Sequence, residues 1–111
     1  MRLSQLCAKC GAQIAWMPED EPDITSAYTS DLLSDVMAHC PEGAVLITIQ
    51  NHMNTVAVAT LTGAQAIMIA HNREIPQEMR DASQRENIAL LQAPEDQFSL
   101  SCKIGTALCI P

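Results

Sequence analysis

The run AVLITI at 44–49 constrains this chain more than any other stretch, because its apolar residues do not alternate with polar ones. A strand with one wet face alternates in and out of water. A strand that is apolar at every position is covered on both faces, as in parallel sheets flanked by helices. A second such run follows at 64–70 (AQAIMIA) and a shorter third at 88–92 (IALLQ). Parallel strands need a crossover, usually a helix, between them. The segment NTVAVATLTG has room for one and ends on Gly63, a helix stop. Its Val and Thr content opposes a helix on propensity alone. The next spacer, PQEMRDASQREN, reads as a helix with Pro76 near its first position and acidic residues early.

The flanking segments complete the expected order. RLSQLCAKC at 2–10 places Leu3, Leu6, Cys7 and Cys10 at helical spacing, with Gly11 as the stop. AQIAW is a short strand, MPEDEP an acidic loop and DITSAY an extended segment. TSDLLSDVMAHC reads as a helix capped by Thr29 or Ser30, with Asp31 at its positive end and Leu32, Leu33, Val36, Met37 and Cys40 as its apolar face. PEDQFSLSCKIGTALCI at 94–110 reads as a terminal helix with Phe98, Cys102 and Cys109 sharing one face, and Ile104 and Leu108 nearby. The expectation is an α/β fold: a small three-layer domain, single over 1–111, with a mainly parallel sheet of four or five strands flanked by helices.

Composition limits the function classes. A chain of 111 residues that is 48% apolar can bury a core without obligatory disulfides or metal. A net charge of -7 with only six Lys and Arg disfavours nucleic-acid partners and anionic membrane surfaces. No apolar run reaches the roughly 18–20 residues of a membrane span, and the first residues lack the apolar stretch of a signal peptide. The five cysteines are odd in number and fall mostly inside apolar patterns, so thiols in a reducing, cytoplasmic setting are expected.

Chemistry is expected where the parallel strands end, since ligands of such folds bind at that edge. Two polar clusters stand there: Gln50, Asn51, His52 and Asn54 after the first buried run, and His71, Asn72 and Arg73 after the second. Free backbone N–H groups at the following helix starts, together with Arg73, suit a phosphate or carboxylate. Asn and His at such junctions also serve simply as caps and turn formers, and neither cluster carries a glycine-rich nucleotide loop. Cys7 and Cys10 form a C-x-x-C-G motif that could be half of a zinc site or a redox pair. No second C-x-x-C accompanies it, and two buried thiols on a packing face explain it as well. Asp31 and Asp35 stand four apart on the expected helix, a pattern more usual for a dipole residue and a solvated one than for acid–base work. No nucleophile elbow or P-loop is present, so an enzyme is the less favoured reading, and no cofactor is expected.

The stretches YTSDLLSDVM, ITIQNHMNTVAVA and AIMIAHNREIPQE, in this order and spacing, resemble stand-alone DRTGG-domain proteins, small α/β domains similar to the N-terminal domain of HPr kinase/phosphorylase. The resemblance covers most of residues 1 to about 100 and implies a compact, dimeric regulatory domain for which no catalytic activity is established by itself. In larger proteins such domains accompany CBS, phosphotransacetylase or pyrophosphatase modules, and stand-alone members in anaerobes go with iron-only hydrogenase systems. The chain departs from the family pattern where Ser26-Ala27 and His71-Asn72 replace glycine pairs, which removes places where a backbone could approach a ligand closely. The expected function is a non-catalytic sensor, a homodimer binding a phosphorylated metabolite or nucleotide. Its candidate contacts are Ser30, Asp31, Gln50, Asn51, His52, Asn54, His71, Asn72 and Arg73. The alternatives are a protein-interaction or dimerisation module without a ligand, a metal or redox protein using Cys7 and Cys10, and, last, an enzyme with His52 as acid or base.

Overall fold

Five strands make one sheet in the order β1-β5-β4-β3-β2 in the computed structural model, which describes residues 1–109. The elements run α1 (Leu3–Cys10), β1 (Gln13–Trp16), β2 (Ser26–Thr29), α2 (Leu33–His39), β3 (Ala44–Thr48), α3 (Met53–Thr62), β4 (Ala66–Ile69), α4 (Gln77–Glu86), β5 (Ala89–Gln92) and α5 (Gln97–Ala107). Strands β2 to β5 are mutually parallel, and β1 joins β5 antiparallel. The three-layer, mainly parallel expectation is met.

The non-alternating runs behave as their composition demands. Every residue of β3 and β4 is buried. Val45, Ile47 and Met68 point to one face, where Leu3, Leu6, Leu100 and Ile104 of α1 and α5 cover them. Leu46, Ile67 and Ile69 point to the other, against Val36, Val56, Ala59 and Met79 of α2, α3 and α4. Helix α3 forms despite its poor propensity because Thr55, Val56 and Ala59 are buried against the sheet. The hydroxyls of Thr60 and Thr62 donate back to the carbonyls of Val56 and Ala59, so neither competes for the backbone elsewhere. The helix stops at Gly63, whose φ of 78° lies in the left-handed region that favours glycine. Its outward residues Met53 and Leu61 are 44% and 72% exposed.

Two helices differ from the sequence expectation. Helix α2 begins at Leu33, because Thr29 is taken up by β2, where it pairs with Ile47. Thr29 and Ser30 therefore do not cap it, and Asp31 and Asp35 do not share a helix. Of its expected apolar face, Val36 and Cys40 are buried, whereas Leu32 and Met37 are 64% and 45% exposed. A seven-residue helix beside the edge strand β2 presents only a narrow stripe to the core. In α5 the buried residues are Leu100 and Ile104, while Phe98 is 78% exposed and Cys102 and Cys109 are exposed. Its rotation is set by its start, where the Asp96 carboxylate accepts the Ser99 N–H and the Gln97 amide reaches Asp31. Ile110, the end of the expected terminal helix, lies outside the described residues.

At the far side of the sheet Gly11, with φ of 71°, ends α1 and turns the chain into β1. Strand β1 slips register against β5 between Ile14 and Trp16, and Arg80 of α4 donates from Nη1 to the Ala15 carbonyl at 3.0 Å in that bulge. Among the described residues no helix is long and apolar enough to cross a membrane.

Candidate functional site

Because β2 to β5 are parallel, their C-terminal ends share one edge, and the helices α2 and α3 start there. The two polar clusters meet at this edge. The Asn51 Nδ2 donates to the Glu74 carbonyl at 2.7 Å, tying the loop after β3 to the loop after β4. Gln92, at the end of β5, donates from Nε2 to the Arg73 carbonyl at 2.6 Å.

Asp31 is the hub of the β2–β3 side. Its Oδ1 accepts from the Thr48 hydroxyl at 3.1 Å and the Ile49 N–H at 3.0 Å, and its Oδ2 accepts from Gln97 Nε2 at 3.0 Å. Its carbonyl accepts from Gln50 Nε2 at 2.8 Å, and Gln50 Oε1 lies 3.1 Å from His52 Nε2. Ser30 caps the turn locally, its Oγ accepting the Leu32 N–H. Asp35, by contrast, faces Tyr28 and His39, and the Tyr28 hydroxyl at 2.7 Å is the main cause that holds its carboxyl below the usual range. The edge is a network of mutually satisfied side chains. Among the described residues there, only the Gln97 Oε1 is buried without a partner.

The β4–β5 side is more open. His71 and Asn72 both adopt left-handed backbone conformations, φ 62° and 53°. This is uncommon for residues with a Cβ, and Asn and His are among those that tolerate it best. Backbone bonds from His71 N–H to the Glu95 carbonyl and from Asn72 N–H to the Ala93 carbonyl hold the turn. His71 also lies close enough to Asp96 to help lower that carboxyl, whose main stabiliser is the Ser99 N–H. A cavity of about 270 Å³ opens beside this turn, lined by Gly11, Gln13, Asn72, Gln92, Ala93 and Pro94. Arg73 is exposed and makes no ion pair among the described residues. Asn54 is exposed on the first turn of α3 and joins neither network.

The sequence did not single out Gln97, Thr48, Gly11 or Gln13 for the edge. Gln97 reaches Asp31 across 66 residues, a separation that leaves no local pattern. Neither Cys7 nor Cys10 lines the cavity beside Asn72. Both are buried in the α1 face of the core, and burial pushes the Cys7 thiol up to about 11 and raises that of Cys10. A thiol held protonated is a poor metal ligand and a poor nucleophile. No cluster of three or more potential metal ligands occurs among the described residues.

No protein-family model matches this sequence, and no curated protein does. Among solved structures it is similar to the CBS and DRTGG domains of the regulatory region of Clostridium perfringens pyrophosphatase, complexed with the activator diadenosine tetraphosphate. The TM-score is 0.76 at 14% identity, with 93% of this chain and 45% of that one covered. At that identity the likeness is one of fold, and the chain spans less than half of its neighbour. With the five-stranded α/β architecture above, it shows that this chain has a DRTGG-like fold.

Proposed function

We propose that residues 1–111 act as one non-catalytic regulatory or sensor domain, a cytoplasmic homodimer that takes a phosphorylated metabolite or nucleotide at the C-terminal edge of the sheet. The observation that carries this reading is the β4–β5 end of that edge. There Arg73, which makes no ion pair among the described residues, follows directly on a strained turn whose Asn72 lines an open 270 Å³ cavity. Strained backbone held in place by the surrounding structure is characteristic of ligand sites, and Arg is suited to phosphate. The neighbour's binding of a nucleotide activator supports the choice of ligand class. The network around Asp31 argues against catalysis, since its groups hydrogen-bond one another and none is a nucleophile paired with a base.

The test is thermal unfolding with and without ADP, ATP, diadenosine tetraphosphate or inorganic phosphate, on the wild type and on Arg73→Ala. A ligand at about 100 times its Kd stabilises by about 2.7 kcal/mol, which raises Tm by several degrees. We expect such a shift for at least one phosphorylated compound and its loss in R73A. No shift with any of them, and no metabolite retained in a native mass spectrum, would remove the ligand. The second reading, a dimerisation module without a ligand, would then stand, as the self-satisfied Asp31–Gln50–His52 network favours.

A further inference from the structure

We propose that the cavity between α1 and α5 is a thiol-exchange site. There an anionic low-molecular-weight disulfide docks on Lys9 and Lys103, and Cys102 captures half of it as a mixed disulfide. The cavity measures about 550 Å³, about twice the one beside Asn72, and shares no lining residue with it. The chain has only two lysines, and both line it. Of the five cysteines only Cys102 and Cys109 are exposed, and both line it as well. Ordinary surface roles account for each lysine singly. Lys9 stands in the last turn of α1, where a cation suits the helix dipole, and Lys103 pairs with Glu95 at 2.6 Å. Neither role explains why the exposed thiols stand beside them.

Charge and reach select the reagent. Lys9 makes no ion pair among the described residues, so Glu95 cancels only part of the charge and the lysine pair stays net positive. The chain's net charge of -7 repels anions elsewhere, which leaves this cavity as a place where one is held. The two thiols cannot simply pair with each other. Seven residues along or just past a helix separate them by about 10 Å, and a disulfide spans Cα atoms less than about 7 Å apart. Cys102 sits inside α5, whereas Cys109 lies past its end, beside the partly negative carbonyls that disfavour a thiolate. The Cys102 thiolate attacks one sulfur of the reagent, a new S–S bond forms and the old one breaks. The electron pair leaves with the other half as a thiolate, which takes up the proton Cys102 gave to water. The Cys102 sulfur is oxidised and the departing sulfur is reduced. Carboxylates on the captured half face the lysines, with the exposed Thr106 hydroxyl one turn beyond Cys102 as a further donor.

The test compares glutathione disulfide, an anion, with cystamine, a cation that offers the same S–S bond. Rates are followed by intact mass at low ionic strength for wild type, C102S and K9Q/K103Q, and a peptide map locates the adduct. A unit charge about 7 Å from a reacting one changes a rate roughly threefold in water. Each lysine speeds the anion and slows the cation, so the ratio of the two rates should fall at least about tenfold in K9Q/K103Q. The ratio cancels any general change in thiol reactivity. We expect the first adduct on Cys102, its loss in C102S, and a wild-type ratio that falls as salt is added. The salt series needs no variant and stands whatever K9Q/K103Q does to folding. A ratio indifferent to salt and to the lysines would overturn the docking. A first adduct on Cys109, or an internal Cys102–Cys109 disulfide, would overturn the capture by Cys102.

Discussion

Replacing Asp31 by alanine removes one carboxylate that accepts from three elements: the Thr48 hydroxyl at the end of β3, the Ile49 N–H just beyond it, and the Gln97 amide at the start of α5. A hydrogen bond to a charged group is worth about 1.5–3 kcal/mol when well buried. Asp31 is only half-buried, so water can replace part of the loss, and about 1 kcal/mol per bond is a fairer figure. The sum is about 3 kcal/mol, a large share of the roughly 5–15 kcal/mol that stabilises a domain of this kind. Urea unfolding should show the midpoint falling with the slope unchanged, and Tm should drop by about 10 °C. Asp31→Asn makes the argument sharper. Its oxygen can still accept from Thr48 and Ile49, and its amide can donate to Gln97 if that side chain turns over, using the buried Oε1 that now lacks a partner. Asn should therefore cost under about 1 kcal/mol. An alanine variant within about 0.5 kcal/mol of wild type, or an asparagine variant as unstable as the alanine, would refute the hub.

Four further outcomes are expected. Iodoacetamide at neutral pH should label Cys102 and Cys109 and spare Cys7, Cys10 and Cys40 until the chain is unfolded, as a peptide map would show. Cys7 ionises less readily folded than unfolded. Its contribution to stability should thus be intact below the ordinary value of 9.0 and lost as pH rises towards about 11, visible as a falling urea midpoint. His71→Gly should raise stability by about 0.5–1 kcal/mol in urea unfolding by relieving a left-handed residue, whereas His71→Val should lower it. In α5, Leu100→Ala should cost about 2–5 kcal/mol while Phe98→Ser should change stability by less than about 0.5 kcal/mol, and equal losses would mean the helix is turned the other way.

The sheet was legible because β3 and β4 carry uninterrupted apolar runs, Ala44 to Ile47 and Ala66 to Ile69, a pattern that few environments other than a doubly covered strand explain. Helix α3 was legible by elimination, since two parallel neighbours require a crossover whatever the propensity of Val and Thr. The meeting of the two polar clusters followed from parallel strand direction alone. The part played by Asp31 was not legible. Next to LLSDVM it has the look of a helix-start residue, and what overrides that reading is Thr29 pairing in β2 and two hydrogen-bond donors lying 17 and 66 residues away. The face of α5 failed for a similar reason. Phe98 is its largest apolar side chain, but the Asp96 cap and the Gln97 tie fix the rotation before hydrophobicity can.

The bulge in β1 bears on what this sheet can do in company. An open sheet ends in strands whose unpaired backbone groups invite a strand from another molecule, and a chain with so many apolar β-formers is exposed to that hazard while it folds. At β1 the invitation is withdrawn: the strand is only four residues long, its register is broken between Ile14 and Trp16, and the Ala15 carbonyl is occupied by the Arg80 guanidinium. A second molecule therefore finds no straight ladder to continue. The residue that guards this edge belongs to α4, which precedes β5 in the chain, so the guard is made before the strand that seats β1 at the edge of the sheet.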